Sequence, residues 1–281
     1  MEHLPFMISR SRFLAYLAVS ASLFALPSAH AAAPNADLPT VYLIGDSTVK
    51  NGTKGLQGWG TAIPTLFDLT KVNVVNSALG GRSSRTFLTE GLWDKVKDRL
   101  KPGDFVLMQF GHNDGGSTKT SYRASVKGIG DETQEIVNPK TNQRETVHSY
   151  GWYLDRYVTD AKAKGASPIV LSPIPRNIWK GDKVARSTTD YGLWAKQIAA
   201  KENVPFIDLN GIIADRYDAL GPVKVLVYFP GDHTHTSPDG ARLNAECVAA
   251  GIRGLTNSPL AAYLLPAATS PAVVGVPATA R

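Results

Sequence analysis

Cysteine is almost missing from this chain. Cys247 is the only one in 281 residues, so neither an internal disulfide nor a cysteine metal cluster can form. It falls in an apolar helical stretch, Leu243 to Ile252, where it reads as a small core residue with nothing nearby to activate a thiolate. No run of about 18 apolar residues is present, which argues against a membrane span. No block of lysines or arginines occurs either. The net charge of +6 is scattered, unlike a nucleic-acid footprint, and no nucleic-acid partner is expected. A diffuse basic excess suits an anionic partner of another kind. No internal repeat is visible, so a solenoid or propeller is not expected.

What is present describes a globular protein, 43% hydrophobic and 19% charged, with enough apolar material for a sizeable core. One α/β domain accounts for the length. The N-terminus has the parts of a secretory signal: basic Arg10 and Arg12, an apolar stretch from Phe13 to Leu26, and the A-x-A site Ala29-His30-Ala31. Residues 1–31 are therefore expected to be a removed leader, and the protein to be secreted or periplasmic. A folded domain is expected over 32–258. Residues 259–281 form a low-complexity tail, rich in Ala, Pro and Val after Pro266.

Short apolar runs alternate with helix-like stretches from residue 40 onward. Strands are expected at Thr40–Ile44, Val72–Asn76, Asp104–Gln109, Ser167–Leu171 and Pro205–Ile207. Helices are expected at Trp59–Leu69, Leu92–Leu100, Tyr150–Lys164, Thr188–Glu202 and Pro238–Leu255. Apolar strands separated by helices imply a parallel sheet covered on both faces. Residues 115–149 break the rhythm. Glu132–Val137 and Arg144–His148 flank the turn signal Asn138-Pro139-Lys140-Thr141-Asn142, so the segment reads as a loop ending in a β-hairpin.

Three polar segments carry the chemistry. Gly45-Asp46-Ser47-Thr48 follows the first strand, Gly111-His112-Asn113-Asp114 follows the third, and Asp232-His233-Thr234-His235 lies near the end. In a parallel sheet, ligands bind beyond the strands' carboxyl ends, where Ser47 and Asn113 both fall. A serine, an amide donor and an Asp/His pair are what serine-mediated ester hydrolysis requires. Ser47 is the candidate nucleophile. Asp232 would orient His235, whose other ring nitrogen would face Ser47; His233 competes as base, and the three-residue spacing favours His235. The oxyanion donors would be the N–H groups of Ser47 and Gly81 and the Asn113 side chain. Asp46 is expected to bond local backbone. No Gly-x-Ser-x-Gly occurs, so the nucleophile elbow of α/β-hydrolases is missing.

These blocks, in this order, resemble those of SGNH (GDSL-type) hydrolases. The similarity is greatest to the rhamnogalacturonan acetylesterases of carbohydrate esterase family 12. The stretches that carry it are Gly-Asp-Ser-Thr, Asn76 to Arg85, His148-Ser149-Tyr150-Gly151-Trp152-Tyr153 and Pro175-Arg176-Asn177. The resemblance runs from about Val41 to Leu255. It implies a flavodoxin-like three-layer α/β/α sandwich with a five-stranded parallel sheet. It also implies Ser47, Asp232 and His235 as the catalytic triad, and Ser47, Gly81 and Asn113 around the oxyanion.

The expected substrate is an acetylated acidic polysaccharide or its oligosaccharides, with no cofactor and no metal. Arg82, Arg85, His112 and Arg176 are candidate substrate contacts, the arginines because a guanidinium matches a carboxylate. Trp59, Trp179, Tyr228 and Phe229 read as core residues before sugar platforms. A deacetylase for xylan or a bacterial surface glycan is the nearest alternative. A two-metal phosphoesterase and a silent carbohydrate-binding protein are more distant ones. The sequence leaves oligomeric state open.

Overall fold

The computed structural model describes residues 34–256 and 258–267, together with Met1. The expected leader beyond Met1, and the tail after 267, lie outside the described residues. In chain order the elements are β1 (Thr40–Gly45), α1 (Trp59–Ala62), β2 (Asn73–Asn76), α2 (Ser84–Thr89), α3 (Leu92–Lys97) and β3 (Phe105–Gln109). Then follow β4 (Thr133–Val137), β5 (Arg144–His148), α4 (Tyr150–Ala163), β6 (Ser167–Leu171), β7 (Trp179–Lys180) and β8 (Lys183–Val184). The last are α5 (Tyr191–Lys201), β9 (Phe206–Ile207), α6 (Leu209–Leu220), α7 (Pro222–Leu226) and α8 (Pro238–Arg253).

The central sheet has the order β2-β1-β3-β6-β9, and every pairing in it is parallel. Side chains alternate between its faces along each strand. Val41, Leu43, Phe105, Leu107, Ile169 and Leu171 enter one buried cluster with residues of α1, α6 and α8. Tyr42, Ile44, Val106, Met108 and Val170 enter the other with α2, α3, α4 and α5. Two buried faces explain why these strands read as continuous apolar runs. The expected three-layer α/β/α sandwich is present.

Several elements differ from expectation. The helix expected over Trp59–Leu69 is only one turn, α1, passing into a 3-10 turn at Ile63–Leu66. Pro64 lacks the N–H that a continuous α-helix would need there. The helix expected from Thr188 starts at Tyr191. Helices α2 and α6 were not expected. The first is six residues long; the second begins behind Asp208, which accepts from Gly211 N–H at 3.1 Å, and Gly211 weakens its propensity. The hairpin is present as antiparallel β4–β5. Beyond 258, Pro259–Tyr263 forms a 3-10 turn, Leu260 and Leu264 are buried, and Leu264 bridges to Phe67. The packed body therefore continues past the boundary placed at 258. Among the described residues, no helix is long and apolar enough to cross a membrane.

Candidate active site

Three loops leave the same rim of the sheet, after β1, β2 and β3, and the segment between α7 and α8 meets them there. The first begins at Gly45, where a Cβ would lie 2.6 Å from the Gln109 carbonyl oxygen and 2.5 Å from Val49 Cγ2; β1 can pass β3 into this turn only as glycine. Asp46 is buried and its Oδ1 accepts from Thr48 N–H at 2.8 Å and the Thr48 hydroxyl at 2.7 Å. This is the local backbone role expected of Asp46. Gln109 Nε2 then donates to Thr48 Oγ1 at 2.6 Å, and Trp59 Nε1 to Gln109 Oε1 at 2.8 Å. Core residues thus hold the Ser47 turn.

Ser47 Oγ lies 2.8 Å from His235 Nε2, across 188 residues of chain. His235 Nδ1 lies 2.7 Å from Asp232 Oδ2. Asp232 Oδ1 accepts from the N–H groups of Thr234 at 2.6 Å and His235 at 2.8 Å. The three-residue spacing works because the loop curls around the carboxylate. Burial opposes ionisation of Asp232, but the His235 side chain and these backbone N–H groups outweigh it and hold its pKa at about 2. The loop is anchored beyond His235. Thr236 exchanges hydrogen bonds with the Gln57 backbone at 2.8 and 2.9 Å, and Ser237 caps α8 with Pro238 in its first turn. His233, the competing base, is exposed, and its carbonyl accepts from Asn177 N–H at 2.8 Å.

The Gly80–Gly81 turn lies against the serine: a Cβ on Gly80 would be 3.6 Å from Ser47 Cβ. Gly81 has φ +76°, a backbone conformation that favours glycine. Ser83 and Thr86 form a capping box at the start of α2, and the Asp114 carboxylate accepts from Ser84 N–H at 3.1 Å, so this turn is fixed from behind. Asp114 is fully buried, and desolvation, opposed by its bonds to Ser84, raises its pKa to about 7. Neither Ser47 N–H nor Gly81 N–H meets an acceptor among the described residues. Asn113 Nδ2 donates to Arg82 O at 3.0 Å, while Arg123 Nη1 donates to Asn113 Oδ1 at 2.9 Å.

The candidate substrate contacts divide. Arg85 is fully buried, donates to both oxygens of Glu145 at 2.7 and 2.6 Å, and to Ala124 O at 2.7 Å. It joins the hairpin to α2 and cannot reach substrate, so the expectation for Arg85 is corrected. Arg82 is part-exposed, its carbonyl accepts from Asn113 Nδ2, and its guanidinium is paired with Glu90 at 2.9 Å. Arg176 has no carboxylate partner among the described residues; its Nη2 donates to His112 O at 3.3 Å. With His112 it lines a cavity of about 260 Å³ between the loops after β3 and β6 and the start of α5. Burial pushes the His112 pKa down, against the pull of Asp46, and its buried Nε2 has no partner among the described residues. Trp59 and Phe229 are core residues, and Trp179 and Tyr228 pack against the core. Cys247 is buried too, which pushes its thiol up to about 12. Arg123 escaped sequence reading, since it sits in a loop without a motif. Among the described residues, no three His, Cys, Asp or Glu side chains converge as a metal-ligand set.

Comparison with known proteins matches residues 43–243 to the GDSL-like lipase/acylhydrolase family. The chain is 35% identical over 214 residues to a rhamnogalacturonan acetylesterase of Emericella nidulans, covering 76% of this chain and 84% of that protein. It is 32% identical over 222 residues to a probable rhamnogalacturonan acetylesterase of Bacillus subtilis, with 76% and 93% covered. Among solved structures, a Bacillus subtilis protein superposes with TM-score 0.63 at 24% identity, over 77% of this chain and 56% of that one. An acetylxylan esterase of Geobacillus stearothermophilus superposes with TM-score 0.50 at 18% identity, over 77% and 94%. These low-identity likenesses concern the fold alone. The family match spans all four segments of the rim, and the chain belongs to the GDSL-like lipase/acylhydrolase family as a carboxylic ester hydrolase.

Proposed function

We propose that the enzyme removes acetyl groups from an acetylated acidic polysaccharide, rhamnogalacturonan first among them, through an acyl-enzyme on Ser47. The observation that carries the mechanism is the hydrogen-bonded line Ser47–His235–Asp232, at 2.8 and 2.7 Å, beside two N–H groups that meet no acceptor among the described residues. Ser47 Oγ attacks the acetyl carbonyl while His235 Nε2 takes its proton. Negative charge on the carbonyl oxygen is met by Ser47 N–H, Gly81 N–H and the Asn113 amide. His235 returns the proton to the departing sugar oxygen. A water then attacks the acetyl-serine with the same base, and acetate leaves.

The polysaccharide rests on the two relatives named for rhamnogalacturonan and on a rim that suits a bulky chain. His235 and Asp232 have side chains 28% and 43% exposed, so an ester on a polymer can reach them. Arg176 adds a guanidinium with no carboxylate partner among the described residues. Export belongs to this reading, because a polymer is met outside the cell and Ala29-His30-Ala31 follows a short apolar stretch.

Acetate release from acetylated rhamnogalacturonan, set against acetylated xylan and an aryl acetate, tests it. Ser47→Ala should fold normally and lose at least about 10⁴-fold on each ester. Faster release from xylan would overturn the substrate. Retention of more than about a hundredth of the rate would remove Ser47 as nucleophile. The native protein should begin near Ala32 on N-terminal sequencing; recovery of residues 1–20 would refute export.

A further inference from the structure

We propose that Arg123 is a positioning residue of the oxyanion hole. It locks the Asn113 amide in the one orientation that offers an N–H to the substrate, and it holds a positive charge beside two of the donors. The proposal rests on the esterase reading above.

A guanidinium can only donate hydrogen bonds and a carbonyl can only accept them. Asn113 sits between one of each: Arg123 Nη1 at 2.9 Å from Oδ1, and Arg82 O at 3.0 Å from Nδ2. Turning the amide over would set N–H against N–H on one side and oxygen against oxygen on the other. Both contacts therefore enforce the same orientation. Arg82 O uses one hydrogen of Nδ2, and the second is left for the oxyanion. Without Arg123 only the Arg82 contact would resist the flip.

The charge on Arg123 is available as well. Arg82, Arg85 and Arg186 near the rim are each paired with carboxylates, whereas Arg123 has no carboxylate partner among the described residues. A Cβ on Gly81 would have Arg123 Nη1 as its nearest neighbour, at 3.9 Å, so the same guanidinium lies beside Gly81. A fixed cation where negative charge develops stabilises the transition state without reorganisation. Its loop is held firmly. Ala124 O takes the 2.7 Å bond from buried Arg85, and Ser125 N–H donates to Asp114 O at 3.0 Å. Arg85 thus serves the site through the Arg123 loop and not by touching substrate.

The test uses an aryl acetate, which carries neither sugar nor carboxylate. Arg123→Ala should lower kcat by about 10- to 100-fold, less than the loss typical of deleting a donor outright, with KM and thermal midpoint nearly unchanged. Methylguanidinium added to Arg123→Ala should restore part of the rate, and an alkylammonium much less. Arg123→Ala should add little to Asn113→Ala, because it acts largely through that amide. An unchanged kcat on the aryl acetate, with Ser47→Ala inactive, would overturn the proposal and leave the esterase reading standing. So would a loss confined to acidic polysaccharide, or losses that multiply in the double variant. An aryl acetate rate that survives Ser47→Ala would overturn both.

Discussion

Single residues at this rim do two jobs, and Asp114 separates them. Its carboxylate fastens the start of α2 to the loop carrying Asn113 and is buried beside Asp46, so ionising it is costly. An acid whose folded pKa is raised, here to about 7 from 3.8, contributes stability below its unfolded value. That contribution is lost as pH rises through the folded value. Asp114→Asn keeps an acceptor for Ser84 but does not titrate. The stability of the natural protein relative to Asp114→Asn should therefore fall between about pH 4 and pH 7, by up to about 4 kcal/mol, and level off above. Urea midpoints across that range measure it. A parallel pair of curves would show that Asp114 keeps an ordinary carboxylate pKa.

Among the elements, the β4–β5 hairpin is tied to the body by the part-buried ion pair of Arg85 with Glu145, alongside the more exposed pair of Lys140 with Glu90. Arg85 lies on α2 and Glu145 on β5, with side chains 0% and 18% exposed. Removing one partner strands the other in a poorly solvated place, typically at a cost of about 3–5 kcal/mol. Arg85→Met should lower the denaturation midpoint by that order and slow aryl acetate hydrolysis, because Ala124 and the Arg123 loop lose their anchor. An unchanged midpoint with a loss on polymer alone would return Arg85 to the substrate. This is also where sequence reading reached its limit. Ser47, Asn113 and the Asp232–His235 pair were legible because each follows a local signal: a strand end, a turn glycine, a three-residue spacing ahead of a helix cap. Arg85 beside Glu145, 60 residues away, has no local signal, so its burial could not be foreseen. Arg123 meets Asn113 only because the intervening loop folds back. The same limit applies to helices: Pro64 broke one that the apolar pattern extended, and Gly211 hid α6.

At the scale of the whole molecule, a sheet buried on both faces leaves the loops at its carboxyl rim free to carry charge. The internal pairs of Arg82, Arg85 and Arg186 neutralise much of it, and Arg176 remains beside the cavity it shares with His112. If Arg176 meets a carboxylate of the polymer, part of the affinity is a long-range attraction that salt screens over about 10 Å at 0.1 M. An aryl acetate has no such charge. Raising ionic strength from 0.02 to about 0.5 M should therefore lower kcat/KM on acidic pectic fragments and leave aryl acetate hydrolysis nearly flat. Arg176→Ala should remove most of that salt dependence. It should also cost about tenfold on the fragments, the lower end expected for a hydrogen bond to a charged group, while sparing the small ester. Equal losses on both substrates would confine Arg176 to holding the His112 loop through its bond to the His112 carbonyl. A salt response that survives Arg176→Ala intact would move the contact elsewhere on the rim, with Arg82 the next cation to test.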